Sequence, residues 1–248
     1  MRAELALALA AAVLPLTAAA YDFEDFFDRL GPVSGSIAAG GASTTGSTET
    51  RSLNGKLAVD YKPDPWKNAF QAAALDASGT PAAERQSLGD KLDYTFVTKD
   101  FAFALAEYDN DHFGGVRVRR AASLGYGHHL LSTAAQTLDI DVGLGARQEV
   151  AAVTGRVTND AIVHNDAKYV LKLSEKTTFQ ETAKFEPGRH NQLFESVTEL
   201  RLPVYDRVSA TISWTVRRNS NVTSPTKNTD AATALTLGYT FGTVERPK

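Results

Sequence analysis

The residues able to do chemistry are mostly charges, and they recur at alternate positions. Lys56 and Asp60, Lys91 and Asp93, Arg117 and Arg119, and Asp139, Asp141 and Arg147 each keep one parity. So do Glu195, Glu199 and Arg201, with Arg207 and Arg217 further on. Spacing by two places every member of such a run on one face of an extended strand. A face of mixed acids and bases, with Lys172 of the same kind, is a polar lining before it is a reaction centre. Neighbouring opposite charges pair there, and rings of charge tune the passage of ions where a lining encloses a pore.

Other chemistry is sparse. The histidines are His112, His128, His129, His164 and His190, and none sits in an HExxH pattern. His128 and His129 are adjacent, so a strand sends them to opposite faces, which is poor for shared metal ligation. Asp109-Asn110-Asp111 reads as a polar loop that could weakly hold a hard cation, without the spacing of an EF-hand. There is no GxSxG, phosphate loop or dinucleotide glycine pattern. A Ser–His pair is a matter of geometry, not of sequence order, so a hydrolase inside a barrel stands as an alternative. No metal site and no cofactor is expected. The block Arg217-Arg218-Asn219-Ser220-Asn221-Val222, with Thr226–Asp230 after it, reads as a hydrogen-bonding set that orders a loop, ahead of a rim for an anion or sugar.

These charges need strands to position them. Leu53, Leu57, Val59 and Tyr61 alternate with Ser52, Asn54, Lys56 and Asp60; Leu88, Leu92, Tyr94 and Phe96 alternate with Ser87, Lys91, Asp93 and Thr95. The same period returns at 116–126, 137–147, 207–217 and 234–241. Weaker segments complete twelve predicted strands at 33–42, 50–62, 66–76, 85–97, 100–109, 115–128, 134–147, 160–174, 176–185, 191–203, 206–219 and 230–242. Most reach the ~9–11 residues that a tilted membrane strand needs. Between them, longer polar links at 43–49, 77–84, 110–114, 148–159, 186–190 and 220–229 alternate with tight ones, which implies a meander with all long loops at one end. Tyr61, Trp66, Tyr94, Phe96, Phe101, Phe103, Tyr205, Tyr239 and Phe241 gather beside the tight turns, as an interfacial aromatic belt would.

Composition narrows the class. The chain has 248 residues, 43% hydrophobic and 22% charged, with a net charge of −3 and no cysteine. Disulfide scaffolds, thiolate metal sites and cysteine nucleophiles are excluded, and the acidic balance gives no footprint for nucleic acid. Residues 1–20 read as a signal peptide, with Arg2 ahead of an apolar run and Ala18-Ala19-Ala20 as a cleavage site. In 21–32, Phe23, Phe26, Phe27 and Leu30 form one apolar helical face, a short periplasmic helix or linker. The barrel is expected over 33–242 and a tail over 243–248.

The expected fold is all-β, a transmembrane antiparallel up-and-down barrel of about twelve strands in the outer membrane of a Gram-negative bacterium. Outer-membrane lipids and lipopolysaccharide, and the barrel assembly machinery, are the expected partners. The competing reading is a soluble periplasmic barrel or sandwich that turns its apolar parity inward and binds a ligand.

The stretches Gly40–Lys56, Arg85–Phe96 and Ser213–Asp230, in their order and spacing, resemble the YdiY-like family of salt-induced outer-membrane proteins, a domain family of undefined biochemical function. The resemblance runs from Ser34 to Phe241. It implies an outer-membrane barrel, and neither a substrate nor a catalytic residue. Against the habit of such barrels, Phe241 is followed by seven further residues instead of ending the chain. Function is expected to be a narrow polar channel for small solutes or ions, or a structural role in envelope stress.

Overall fold

The computed structural model describes residues 31–45, 50–77, 83–112, 115–222 and 227–242. The signal peptide, the Phe23–Leu30 helix and the 243–248 tail lie outside these described residues. Twelve strands run in chain order: β1 (Val33–Thr45), β2 (Thr50–Tyr61), β3 (Trp66–Ala77), β4 (Ala83–Val97), β5 (Asp100–Asp111), β6 (Val116–Ser132), β7 (Gln136–Ala151), β8 (Val157–Lys172), β9 (Thr178–Pro187), β10 (Gln192–Tyr205), β11 (Val208–Asn219) and β12 (Thr229–Gly242). Each is antiparallel to its sequence neighbours, and β1 closes on β12 from Ser34↔Gly242 to Thr45↔Ala231. Closure leaves no sheet edge, which hydrocarbon requires.

The polarity of the wall decides between lipid and water. Leu53, Leu124 and Leu144 are 69%, 68% and 72% exposed, whereas Arg147, Asp141 and Glu186 are 2%, 4% and 0% exposed. The apolar parity points out and the charged parity points in. A water-soluble barrel needs the reverse, so the soluble alternative is corrected: this is a membrane-spanning barrel. β1 begins and β12 ends, with Ser34 paired to Gly242, at the end that also carries the 62–65, 98–99, 133–135, 173–177 and 206–207 links. We call that the turn end and its opposite the loop end.

Strand limits differ from the periodicity. β5, β6, β7 and β8 extend through Asp111, Ser132, Ala151 and Val157 into segments expected as loop. The ladder continues where the period-two contrast has faded, as at the adjacent Leu130 and Leu131 and at Val150-Ala151. The contrast of long and tight links shrinks accordingly. Links 112–115, 152–156 and 188–191 are no longer than 173–177, and 220–228 alone is long.

Candidate functional site

Pairing registers assign the inner wall. Lys56 on β2 faces the lumen; Ala38 and Gly238 share its level across the seam. The same bookkeeping turns inward Arg85, Lys91 and Asp93 on β4, Glu107, Asp109 and Asp111 on β5, and Arg119 on β6. It does so for Asp139, Asp141, Arg147 and Glu149 on β7, and for Asp160, His164, Asp166 and Lys168 on β8. Lys184 and Glu186 on β9, Glu195 and Glu199 on β10, and Arg217 and Asn219 on β11 complete the lining.

At the loop end the lining is welded. Arg147 donates to the Glu186 side chain at 3.2 Å, to the Glu186 carbonyl at 3.2 Å and to the Asn191 carbonyl at 2.5 Å. His164 Nδ1 lies 3.0 Å from Glu186 Oε1. Arg119 donates to Glu149 at 2.8 Å and to Asn219 at 2.6 Å, and Asn191 donates to Glu149 and Asn219 at 3.0 Å. Buried charges persist only when paired in this way.

Some pairs cross the barrel. Arg217 on β11 binds Asp109 on β5, and Arg85 on β4 lies 3.8 Å from Glu195 on β10, which also accepts from Arg217 at 2.5 Å. In a ring of twelve, β5 and β11 are opposite, as are β4 and β10. Twelve strands ~4.8 Å apart and tilted ~40° would close a circle about 24 Å across. An arginine hydrogen-bonded to an aspartate separates their Cα atoms by at most about 13 Å. The two walls are therefore drawn together at this level, and the lumen is an oval bridged across its short axis. Lys184, donating to Glu107 at 2.7 Å, marks the inner boundary of this network.

Towards the turn end the lining loosens. Lys56 donates to Glu199 at 3.0 Å, with both side chains partly exposed. Asp60 lies 3.5 Å from Lys62, Lys67 lies 3.8 Å from Asp93, and His129 lies 2.7 Å from Asp139. Lys91 binds Asp141 and sits 3.5 Å from Asp93, with its ammonium 5.1 Å from the centres of both the Phe101 and Phe103 rings. Those rings lie flat on the inner wall because glycine leaves it bare. A Cβ at Gly127 would stand 2.2 Å from the Phe101 ring, and one at Gly125 would stand 2.6 Å from Phe103.

This corrects the aromatic belt. Phe101 and Phe103 are buried in the lumen. Phe241 packs across Gly35 instead of facing open surroundings. Tyr61, Trp66, Tyr94, Phe96 and Tyr205 are exposed, with the rings of Trp66 and Tyr94 in tilted contact at 4.7 Å. The expected charges are not all brought together. Arg117 falls at the register shift between Val116 and Val118 and is exposed at the loop end. Arg201 and Lys172 are exposed near the turn end, and Arg207 lies in the turn that follows β10. Asp109, Asn110 and Asp111 are strand, not loop; Asp109 and Asp111 serve the arginine network. Among the described residues no histidine and carboxylate group is arranged to hold a metal.

The described ends of the long link are held by the hydrogen bonds that its composition suggests. Ser220 N donates to the Gln192 carbonyl at 2.9 Å and Asn221 Nδ2 to the His190 carbonyl at 3.0 Å; Asn228 Nδ2 donates to the Ser220 carbonyl at 3.0 Å. Sequence reasoning missed Arg85, Glu107, Glu149, Lys184 and Glu186. Each has the inward parity of its strand, and this was the available signal.

Known proteins agree with this architecture. The chain belongs to the family described as "Protein of unknown function, DUF481", whose model matches residues 37–241. Among solved structures, the NanC porin superposes with a TM-score of 0.57 at 9% identity, covering 83% of this chain and 98% of that one. The translocator domain of the autotransporter NalP from Neisseria meningitidis gives 0.49 at 11% identity, covering 93% and 99%. Comparison with curated proteins finds none that matches. The closed sheet, similar in fold to a porin, and its inverted polarity make this a twelve-stranded outer-membrane β-barrel.

Proposed function

We propose that this DUF481 barrel is a narrow, non-catalytic channel for small ions and polar solutes across the outer membrane of a Gram-negative bacterium, constricted at its loop end. One observation supports the reading above the rest: a charged, mixed-sign lining continues along the inner wall, and side chains bridge it at one level instead of filling it with apolar packing. Eight-stranded barrels are wide enough only for side chains to fill, and twelve strands enclose more. Mixed sign favours weak selectivity. Lipopolysaccharide around the wall and delivery by the barrel assembly machinery belong to the same proposal.

The cross-wall bridge also favours a second reading, a structural barrel stiffened by its Arg217–Asp109 tie. Planar bilayers separate the two. A channel gives discrete current steps in the wild type, several-fold larger in Arg217→Ala, with altered ion preference. A folded barrel that conducts in neither form overturns the channel and leaves the structural role.

A further inference from the structure

The turn half of the lumen contains an ammonium-binding cage, and a lysine of the chain occupies it. The Lys91 ammonium stands 5.1 Å from two phenyl ring centres, within the ~6 Å range of cation–π attraction. It is bound by Asp141 and faced by Asp93 at 3.5 Å. Two aromatic faces and two carboxylates are what recognition of a desolvated ammonium requires.

The cage is built, not adventitious. Phe101 and Phe103 are each 3% exposed, held against bare glycine backbone on one side and flanked by the rings of His129 at 4.9 Å and His164 at 5.6 Å. Its acceptors exceed its donors. Asp93 Oδ1 and Asp141 Oδ1 are buried and have no hydrogen bond among the described residues. The two aspartates are 6% and 4% exposed. The occupant is less fixed than the walls, because the Lys91 side chain is 25% exposed to the lumen. Asp166 lies within electrostatic reach of Lys91. Asp166 stands directly opposite Asp141 in the β7–β8 register, so a displaced ammonium has a further carboxylate beside the cage.

We propose that this cage is a binding site for small primary organic ammonium ions, with Lys91 a tethered occupant that the diffusible cation displaces. This deepens the channel reading by naming a substrate class. Its test is read without current, so the two can fail separately.

The probe is n-butylammonium, which has the shape of the lysine side chain. It is titrated calorimetrically into the detergent-solubilised, folded barrel. Lys91→Ala is expected to bind it at least tenfold more tightly than wild type, and Lys91→Ala combined with Asp141→Asn is expected to lose that gain. No gain in Lys91→Ala, or a gain that survives Asp141→Asn, overturns the site. A second measurement uses the wild type alone, with lysines carbon-13 methylated. The Lys91 methyl signal, shifted by two phenyl rings, must move towards the free-lysine position as n-butylammonium is added. A signal that stays in place overturns the displacement even if Lys91→Ala does not fold.

Discussion

In the loop half of the lumen four of the paired inward cations are arginines, Arg85, Arg119, Arg147 and Arg217, with the lysine Lys184 at the inner boundary; in the turn half they are lysines, Lys56, Lys67 and Lys91. The two side chains do different work. A guanidinium presents a rigid fork that holds several acceptors at once. Arg147 accordingly ties β7 to Glu186 on β9 and to the Asn191 carbonyl. An ammonium is a point charge on a flexible stem, and Lys56, Lys67 and Lys91 reach carboxylates from positions more exposed than those of Arg119, Arg147 and Arg217. The difference teaches that one half of the lining is scaffold and the other is a surface on which charge can move.

The largest effect should come from cutting the scaffold. Arg147→Met leaves Glu186 buried without its guanidinium and Glu149 with Arg119 alone, and should cost about 3–5 kcal/mol of stability. Lys56→Met, at a half-exposed pair, should cost no more than about 1 kcal/mol. Urea unfolding in lipid vesicles measures both, and equal losses would erase the distinction between the halves.

The outer wall should be indifferent to which half lies behind it. Ile212→Arg puts a charge on the lipid face and should cost about 2–4 kcal/mol if it lies near the midplane. Thr211→Arg points the same charge into the lumen and should be mild. The same vesicle assay reads both; equal damage would mean the register of β11 is wrong.

A smaller effect sharpens the turn half. Gly127→Ala must push Phe101 from its seat and should cost about 1–3 kcal/mol through overpacking. Gly89→Ala, where a Cβ meets nothing within 4 Å, should be neutral. A neutral Gly127→Ala would mean the ring is not seated there, and the ammonium cage would lose one wall.

Much of this fold was legible because inverting a barrel from water to lipid leaves its period of two intact. Leu53 and Lys56 declare their faces in either solvent. Strand ends were not legible, because the period-two contrast fades there: Asp109, Asn110 and Asp111 are polar on both faces, and Leu130 and Leu131 are apolar at adjacent positions. Phe101 and Phe103 sit beside a tight turn, as belt aromatics do, yet face the lumen. Their parity carried the better signal, since Glu107, Asp109 and Asp111 share it along β5. The cross-lumen pairs had no local signature. Arg217 and Asp109 are 108 positions apart and meet only when the sheet has closed.

The oval section at the Arg217–Asp109 level has a geometric corollary. For a given perimeter, a circle encloses more area than any ellipse. Releasing the tie lets the same twelve strands, with the same ladder, relax outward to a wider bore, with no hydrogen bond of the wall broken. The footprint in the bilayer grows with the bore. Lateral tension in the membrane therefore does work in the direction of rounding, and crowding by neighbouring lipids works against it.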